Sequence, residues 1–367
     1  MKRVLVVGFT GNIGGLETVV MNYYRNFDKN KVQLDFLYST VEIAFKDEIE
    51  ALGGKTYHIE AKHNNLFKYK KELKEFFEKN GKKYSAIWVN FCNITNLDYL
   101  KMAKKYNIKT RIIHAHNSQN MGSKLKGILH KIYKNIMPLY VTNYWSCSNE
   151  ASKWFYSKKI MNSDNYLIVN NAIDLKKYEY NENVRKKVRK DNNWDNKIVI
   201  GNIGRLHFQK NQMFALSIIK EFKKLNKNAI FVLVGDGEDK DKLKDEARRL
   251  KIEDSVFFYG MRNDVPNLLS GMDIVLFPSL FEGLSLSLVE AQCAKLLTIT
   301  SNTVSPDSKM SDYLYFVDLN KTPEDWAKFM NDKYNSFDRK NSKNEIKKRG
   351  YDIKTESKKL EEFFERN

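Results

Sequence analysis

Short apolar runs alternate along the chain with amphipathic stretches that are rich in Lys and Glu. In the first half, residues 2–8, 32–38, 86–90 and 111–114 have the length and the Val/Ile content of buried strands. Between them, stretches such as residues 68–79 carry apolar residues at helical spacing. Strands that alternate with amphipathic helices are typical of a parallel sheet covered by helices.

The same pattern restarts after residue 197. The predicted strands of this second half are residues 197–201, 229–234, 256–259, 273–277 and 296–300. Residues 176–197 are polar and nearly free of apolar runs, which indicates an interdomain stretch or a surface excursion. A charged amphipathic helix is predicted at residues 352–364. We therefore predict two α/β domains, residues 1–175 and 176–351.

Composition narrows the class of protein. The chain has 367 residues, of which 42% are hydrophobic, enough for sizeable cores and against disorder. No run approaches the roughly 18 apolar residues that a membrane span needs. Three isolated cysteines fit neither a zinc site nor a disulfide framework. We expect a cytoplasmic protein whose cysteines are buried thiols.

The net charge is +18, which favours an anionic partner. Residues 1–180 hold 29 Lys/Arg against 16 Asp/Glu, whereas residues 181–367 hold 34 against 29. Between Asp98 and Glu150 there are nine basic residues and no acidic one. Within this run, residues 124–134 mix cations with apolar residues at helical spacing. They suit an interfacial helix on an anionic membrane, or equally a basic helix packed on its own domain.

A glycine cluster follows the first predicted strand, with glycines at positions 8, 11, 14 and 15. Such glycines let backbone amides approach a phosphate at a helix N-terminus. The second glycine comes three residues after the first, so the cluster does not match the dinucleotide-binding fingerprint. Extended short-chain dehydrogenases need a Tyr-x-x-x-Lys pair, and none of the 20 tyrosines has Lys four residues later. An oxidoreductase is therefore disfavoured.

The second half carries charged residues after two of its strands. Arg205 and Lys210 are five residues apart on a loop that enters a helix, so both cations can converge on one anion. Glu282 lies in the loop that follows residues 273–277, and Glu290 lies about two turns into the next helix. These positions suit a phosphate site flanked by carboxylates. Each feature alone is equally typical of a charged surface.

Taken in order, these motifs resemble the family-4 retaining glycosyltransferases of the GT-B fold, from Met1 to about Asp325. Four short segments resemble the corresponding sequences of bacterial capsular and exopolysaccharide glycosyltransferases: residues 21–25, 113–118, 170–174 and 278–283. The resemblance implies an α/β fold of two Rossmann-like domains facing across a cleft. The first domain would bind the acceptor and the second the nucleotide-sugar. The C-terminal helix, residues 352–367, would pack back on the first domain.

The resemblance also implies roles for particular residues. Arg205 and Lys210 would bind the diphosphate, and Glu290 the ribose. The hexose and its phosphate would be held by Glu282 with the amides of Gly283, Leu284 and Ser285. Gly235 and Arg262 would flank the base, and Gly14 and Gly15 would approach the diphosphate. The acceptor would meet Glu17, His114, Asn117 and His116. The implied catalytic residues are Glu282, His116, Arg205 and Lys210.

The implied reaction moves a hexosyl unit from a nucleotide-sugar, expected to be a UDP-sugar, to a hydroxyl of a lipid-linked saccharide with retention. No metal is required, because cations stabilise the leaving diphosphate. The single Asp-x-Asp, residues 239–241, is interpreted as solvated surface. We expect a peripheral protein on the inner face of the cell membrane.

Other functions on this scaffold stay open at this point: a nucleotide-sugar epimerase, a phosphorylase, or a non-catalytic partner subunit. No nucleic-acid-binding motif is present, and the oligomeric state is not determined. The chain departs from the family at residues 295–297, where Lys-Leu-Leu replaces the usual Gly-x-Pro.

Overall fold

The computed structural model describes residues 1–120, 123–282, 284–340 and 343–367. These residues divide into two compact units. Unit 1 comprises Met1–Ala172 and Asp352–Asn367, and unit 2 comprises Ile173–Tyr351. The division falls three residues before the boundary expected from the sequence.

Unit 1 is built on a parallel sheet of seven strands in the order β3-β2-β1-β4-β5-β6-β7. The strands are β1 (Lys2–Val7), β2 (Val32–Tyr38), β3 (Thr56–His58), β4 (Ala86–Phe91), β5 (Thr110–Ala115), β6 (Asn143–Ser146) and β7 (Tyr166–Ile168). The helices are α1 (Gly15–Asn26), α2 (Lys46–Ala51), α3 (Leu66–Asn80), α4 (Asp98–Lys105), α5 (Lys124–Ile136), α6 (Asn149–Phe155) and α7 (Lys158–Met161).

The C-terminal segment completes unit 1. Phe364 is fully buried, and its ring lies 5.7 Å from that of Trp145 and 6.2 Å from that of Phe27. The carboxylate of Glu361 accepts a 2.5 Å hydrogen bond from the backbone N–H of Asp28. This helix, α15 (Ile353–Arg366), therefore belongs to the core of unit 1 although it is distant from it in sequence.

Unit 2 is built on a parallel sheet of six strands in the order β10-β9-β8-β11-β12-β13. The strands are β8 (Ile198–Ile203), β9 (Ala229–Val234), β10 (Val256–Gly260), β11 (Ile274–Phe277), β12 (Leu297–Ser301) and β13 (Leu314–Val317). The helices are α8 (Leu175–Tyr178), α9 (Glu182–Asp191), α10 (Gln212–Leu225), α11 (Lys240–Arg249), α12 (Val265–Gly271), α13 (Leu286–Cys293) and α14 (Pro323–Ser336). The prediction of two parallel-sheet α/β domains is confirmed.

The polar stretch at residues 176–197 is a structured part of unit 2. Its helix α9 packs on α12, with Val188 buried between them. Arg185 and Arg189 pair with the two carboxylate oxygens of Asp273 and donate to the backbone carbonyls at the end of α12. The interpretation as an interdomain stretch is wrong, because the arginines that made it look like a solvated linker bind main-chain oxygens.

Both sheets reverse their strand order beside the first strand of the unit, between β1 and β4 and between β8 and β11. In open parallel sheets, ligands bind outside the carboxyl ends of the strands at such a switch point. The glycine cluster follows β1, the Arg205 loop follows β8, and the Glu282 loop follows β11. Each candidate motif therefore lies where this architecture places a ligand.

The structure also bears on the expectations about membrane spans and cysteines. No helix in the described ranges has the length and apolarity that crossing a membrane requires. The three cysteines are thiols and not disulfides, and Cys147 and Cys293 are buried. Cys92 is exposed after β4, so the expectation of a buried thiol is wrong at that position.

Candidate functional site

The glycine turn of unit 1 lies directly against the end of β4. Gly8 has φ +113°, and a side-chain carbon there would overlap the carbonyl oxygen of Asn90. Only glycine combines this backbone conformation with so close an approach. The turn after β1 is thus fixed at the switch point of unit 1.

Glu17 holds the glycine turn in place. Its carboxylate is buried, and one oxygen accepts from the backbone N–H and the hydroxyl of Thr10 at 3.1 and 2.9 Å. The other oxygen accepts from the backbone N–H of Gly14 at 3.2 Å. Gly15 begins α1, and a side-chain carbon there would meet open space. The geometry gives Glu17 a loop-holding role, and its acceptor-binding role stays a prediction.

His116 is held by Asn90 in one tautomer. The amide nitrogen of Asn90 donates to the carbonyl oxygens of Val7 and Trp88 at 3.2 and 3.3 Å, so its oxygen faces Nε2 of His116 at 2.8 Å. Nε2 must therefore carry the proton, which leaves Nδ1 as an acceptor. Burial lowers the pKa of His116 to about 3. The ring is a neutral hydrogen-bonding group near pH 7.

His114 lies beneath His116 and is fully buried. Its Nδ1 accepts from the indole N–H of Trp88 at 3.2 Å, and its ring centroid is 4.0 Å from that of His116. Burial, reinforced by the neighbouring His116, moves the pKa of His114 well below its usual range. The structure places His114 in the core under the site, and its predicted contact with the acceptor stays a prediction.

Asn117 serves its own loop. Its amide nitrogen donates to the carbonyl oxygen of Gln119 at 3.0 Å, and its oxygen accepts from the backbone N–H of Ser118 at 3.0 Å. The side chain is buried. The predicted acceptor contact of Asn117 is not tested by these contacts and stays a prediction.

In unit 2, hydrogen bonds join the loops that follow β8 and β11. The backbone N–H of Leu280 donates to the carbonyl oxygen of Gln209 at 2.8 Å. The side chain of Gln209 donates to the carbonyl oxygen of Phe281, and that of Asn211 to the carbonyl oxygen of Pro278, each at 3.0 Å. These bonds hold the two loops together on either side of the switch point.

Lys210 and Glu282 meet across these joined loops. Nζ of Lys210 lies 2.5 Å from Oε1 of Glu282, and only 14% and 10% of the two side chains are exposed. The stem of Lys210 passes over Gly204, where an added side-chain carbon would lie 3.3 Å from Cε. A buried ion pair is expensive to form and is strongly coupled to what surrounds it. The sequence-predicted cation and carboxylate are thus brought together at the switch point.

Arg205 points to solvent beside them. Its side chain is 63% exposed and pairs at 3.1 Å with Glu238, whose other oxygen lies 3.4 Å from Nε2 of His207. Exposed pairs of this kind contribute little to stability. The guanidinium is therefore available to exchange Glu238 for a stronger anion such as a diphosphate.

The turns that follow β9 and β10 pack on the Arg205 loop. Gly235 has φ +133°, and a side-chain carbon there would overlap the carbonyl oxygen of Gly204. The N–H of Gly235 donates to the carbonyl oxygen of Gly260 at 2.8 Å. Arg262 follows this turn and forms two bonds to Asp264, at 2.8 and 2.7 Å. Both predicted base-flanking residues thus lie at the same edge of the sheet as Arg205.

Helix α13 follows the Glu282 loop and carries Glu290. Ser285 is its N-cap residue, and Leu284 before it is buried. Glu290 is buried, and burial raises its pKa although a hydrogen bond from Tyr178 and the charge of Lys177 oppose this. The predicted site residue Gly283 lies outside the described residues.

The departure from the family at residues 295–297 is accommodated in the backbone. Lys295 follows α13 with φ +54°, the left-handed region that glycine adopts freely. Leu296 and Leu297 are buried, and Leu297 begins β12. The turn after α13 therefore forms without a glycine.

Sequence reasoning missed the residues that hold the site together: Asn90, Gln209, Asn211 and Glu238. One of these residues, Asn90, could have been found from the sequence. Asn90 ends a predicted buried strand, where a polar residue needs a partner. Gln209 and Asn211 flank Lys210, but their targets are carbonyl oxygens about 70 residues later, which a single sequence does not reveal.

The described ranges contain no group of three or more His, Cys, Asp or Glu side chains that could hold a metal ion. In the Asp-x-Asp sequence, Asp241 is 93% exposed and pairs with Lys244 at 3.4 Å. Asp239 pairs with Lys242 at 3.0 Å. Asp241 thus agrees with the interpretation as solvated surface, whereas Asp239 is only 15% exposed.

Comparison with known proteins gives a consistent answer. Residues 184–352 match the family model described as Glycosyl transferases group 1. The chain is 30% identical over 314 residues to the glycosyltransferase named EpsF of Bacillus subtilis, covering 83% of this chain and 80% of that protein. It is 25% identical over 290 residues to the capsular polysaccharide biosynthesis glycosyltransferase CapH of Staphylococcus aureus, covering 77% and 76%.

A shorter match concerns an enzyme with a named acceptor. Over 110 residues the chain is 36% identical to the UDP-Gal:alpha-D-GlcNAc-diphosphoundecaprenol alpha-1,3-galactosyltransferase of Escherichia coli, covering 29% of this chain and 28% of that enzyme. Among solved structures, Anabaena Alr3699/HepE in complex with UDP and glucose has a TM-score of 0.74 at 16% identity. The match covers 99% of this chain and 95% of that one. The GT-B fold expected from the sequence is confirmed.

Proposed function

Because the chain belongs to the group 1 glycosyltransferases, we propose that it moves a hexosyl unit from a UDP-sugar to a hydroxyl of a lipid-linked saccharide. The anomeric configuration is retained in this proposal. The product is an intermediate of an exopolysaccharide, a capsule or another surface glycan, made in the cytoplasm at the inner face of the cell membrane. The name of the Escherichia coli galactosyltransferase supports a lipid-linked acceptor, and the name of CapH supports a capsular product.

The observation that carries the proposal is the ion pair of Lys210 and Glu282 at the switch point of unit 2. A lysine that neutralises a buried carboxylate is positioned to turn to a diphosphate when a donor binds. Arg205 stands on the same loop with an exposed guanidinium. The guanidinium of Arg205 can donate two parallel hydrogen bonds, and the ammonium of Lys210 is a compact positive charge. This combination suits a pyrophosphate.

The chemical step breaks the bond between the anomeric carbon and the diphosphate oxygen and forms a bond to the acceptor oxygen. Negative charge grows on the departing nucleoside diphosphate while the sugar becomes oxocarbenium-like. Lys210, Arg205 and the amides that begin α13 stabilise that charge more than they stabilise the ground state. The proton of the acceptor hydroxyl passes to the leaving phosphate, as front-face retention requires.

His116 contributes as a neutral group in this proposal. Its Nε2–H is committed to Asn90, so Nδ1 is the atom that accepts from a sugar hydroxyl. A ring whose pKa is about 3 is a weak base at neutral pH. We therefore assign it to orienting a hydroxyl and not to removing its proton.

The test is a donor panel. The purified protein is incubated with UDP- and GDP-sugars, with and without undecaprenyl-diphosphate-linked saccharides, and release of nucleotide diphosphate is followed. We expect release from one UDP-sugar that depends on the acceptor and yields an α-linked product when the donor is an α-linked sugar nucleotide.

Other outcomes identify the alternatives. Epimerisation of the donor sugar without transfer identifies an epimerase, and release of a sugar phosphate with inorganic phosphate identifies a phosphorylase. No turnover by folded protein with any donor and acceptor contradicts the transferase. A non-catalytic subunit is then the remaining function on this scaffold.

A further inference from the structure

Helix α5 of unit 1 faces its own domain with His130, Lys134 and the partly buried Tyr133 and Ile136. His130 is its most deeply buried residue, at 1% exposure. Nδ1 of His130 accepts from the backbone N–H of Ile94 at 3.1 Å, so Nε2 carries the proton and faces the carbonyl oxygen of Trp154 at 3.3 Å. The imidazole of His130 stacks on the indole of Trp154, with ring centroids 4.4 Å apart and 9° between the ring planes. Lys134 donates to the same carbonyl oxygen at 2.7 Å.

The side of α5 that faces solvent is apolar. Leu125, Ile128 and Ile132 are 64%, 55% and 49% exposed, and their spacing of three and four residues places them in one stripe. We call these three residues the α5 outer face. Leu139, in the turn after the helix, extends it at 63% exposure. A surface helix ordinarily buries its apolar residues, and α5 leaves these three exposed to solvent.

Cations surround the α5 outer face. Lys124, Lys126 and Lys131 are exposed on the helix itself. Lys104, at the end of α4, donates to the carbonyl oxygen of Leu139 at 2.9 Å, which places another cation beside the face. No acidic residue occurs between Asp98 and Glu150. An apolar stripe with lysines around it complements an anionic bilayer, whose acyl chains take the stripe and whose headgroups take the cations.

We propose that unit 1 docks on an anionic lipid bilayer through the α5 outer face, with Ile128 and Ile132 entering the acyl region. The anchoring of His130 and Lys134 to Trp154 keeps the helix from rolling its apolar stripe into the domain. The sequence left open whether this helix lies on a membrane or packs on its own domain. The side chains show that one side of α5 packs on its domain, while Leu125, Ile128 and Ile132 stay exposed on another side. The inference rests on the proposed function only in that a lipid-linked acceptor is presented by a bilayer.

The test measures sedimentation of the full-length protein with vesicles that contain neither donor nor acceptor. Vesicles of phosphatidylcholine alone are compared with vesicles that also hold about 30% phosphatidylglycerol. We expect at least tenfold stronger partitioning onto the anionic vesicles, and a decline with added salt. Equal binding to both kinds of vesicle overturns the proposal.

The variant Ile128→Ser/Ile132→Ser should lower partitioning onto anionic vesicles at least tenfold. The matched control is Phe67→Ser, because Phe67 is an apolar side chain on α3 with 86% exposure that lies outside the face. A second variant, Lys124→Ser/Lys131→Ser, should weaken binding and flatten its salt dependence. Wild-type partitioning of the Ile variant contradicts the proposal.

Two further measurements separate the explanations. If light scattering shows that the wild type is a dimer and the Ile variant a monomer, a second copy covers the face and the bilayer proposal is wrong. Transfer to a short-chain, water-soluble acceptor should be unchanged in the Ile variant. Absence of that transfer in the wild type contradicts the proposed function and leaves the vesicle result standing.

Discussion

The carboxyl edges of the two sheets carry different chemistry on the same architecture. At the switch point of unit 1, Gly8 packs on Asn90, and Asn90 holds a neutral His116. At the switch point of unit 2, Gly204 makes room for Lys210, which pairs with Glu282. Both edges use a glycine after the first strand to bring a neighbouring group close. One edge is held by hydrogen bonds between uncharged groups, and the other by an ion pair.

This difference shows that topology places a ligand site and that side chains decide what it does. At the switch point of unit 1 the buried carboxylate of Glu17 accepts three hydrogen bonds from its own loop. In unit 2 the cations are exchangeable, because Arg205 is exposed and Lys210 pairs with a carboxylate of the opposite loop. We infer that the charge-stabilising part of the reaction belongs to unit 2 and the hydroxyl-orienting part to unit 1.

Lys210→Ala is the substitution with the largest expected effect. Loss of a donor that stabilises transition-state charge lowers kcat by about 10²–10³. Steady-state rates with the best donor give the value, and the melting temperature checks that the unpaired Glu282 has not unfolded unit 2. The control is Lys242→Ala, an exposed lysine of the same unit. If kcat of Lys210→Ala falls less than threefold, the proposed difference between the carboxyl edges of the two sheets is wrong.

Glu290 should show both a binding effect and a pH effect. Glu290→Gln should raise the donor KM about tenfold, since the amide replaces one of the two carboxyl oxygens by a hydrogen-bond donor.

Burial raises the pKa of Glu290, so the folded state binds this proton more tightly than the unfolded state. The stability that the bound proton contributes is present below the unfolded pKa and is lost as pH rises through the folded one. The melting temperature of Glu290→Gln relative to wild type should therefore increase with pH over that interval. Glu324→Gln, at an exposed glutamate, should show no such trend.

His116→Ala tests the carboxyl edge of the unit 1 sheet, which is held by hydrogen bonds between uncharged groups. Loss of one hydrogen bond to a sugar hydroxyl is worth about 1 kcal/mol, so kcat/KM should fall roughly three- to tenfold. Because the pKa of His116 is about 3, the shape of the pH–rate profile between pH 6 and 8 should be the same in variant and wild type. If the variant loses an acidic limb near neutrality, His116 acts as a base and the contrast between the edges is weaker.

Gln209→Met tests the clamp between the two loops of unit 2. Methionine keeps the length of the side chain and removes the bond to the carbonyl oxygen of Phe281. We expect kcat to fall about two- to fivefold, by loss of positioning of Glu282, with little change in acceptor KM. Met213→Ala, a partly exposed position on α10, is the control. Gln209→Met activity equal to wild type would show that the backbone bond of Leu280 suffices.

Chelation is the change with the smallest expected effect. If cations of unit 2 do the electrostatic work, EDTA should alter the transfer rate by less than about twofold. Added Mg²⁺ should not raise it. A rate abolished by EDTA and restored by Mg²⁺ would move the charge-stabilising role from Lys210 and Arg205 to a metal ion.

The elements were largely predictable from the sequence. The predicted strand at residues 229–234 has the observed bounds of β9, and that at residues 32–38 has those of β2. Continuous runs of Val, Ile and Leu are typical of strands that are buried on both faces of a covered sheet. Such strands can therefore be predicted from the local sequence alone. Residues 182–191 were not predicted as a helix, because the packing that stabilises α9 involves Asp273, more than 80 residues later.

The candidate site was predictable as a set of residues and not as a set of contacts. Lys210 and Glu282 were named from motifs that are 72 positions apart, and only folding shows that they form an ion pair. Arg205 was named with Lys210 as one cluster, yet in the structure it turns outward to Glu238. Spacing along a loop does not determine the direction of a side chain, because the partners come from other strands.

The sequence by itself determined the two α/β units, the glycine turns and the family, since these depend on local periodicity and on motifs read in order. The tertiary structure decided which groups are charged, neutral or exposed. Burial set the neutral state of His116 and raised the pKa of Glu290, because desolvation depends on everything packed around a group. It also decided which side of α5 faces outward, since the anchors Ile94 and Trp154 lie on other segments of the chain.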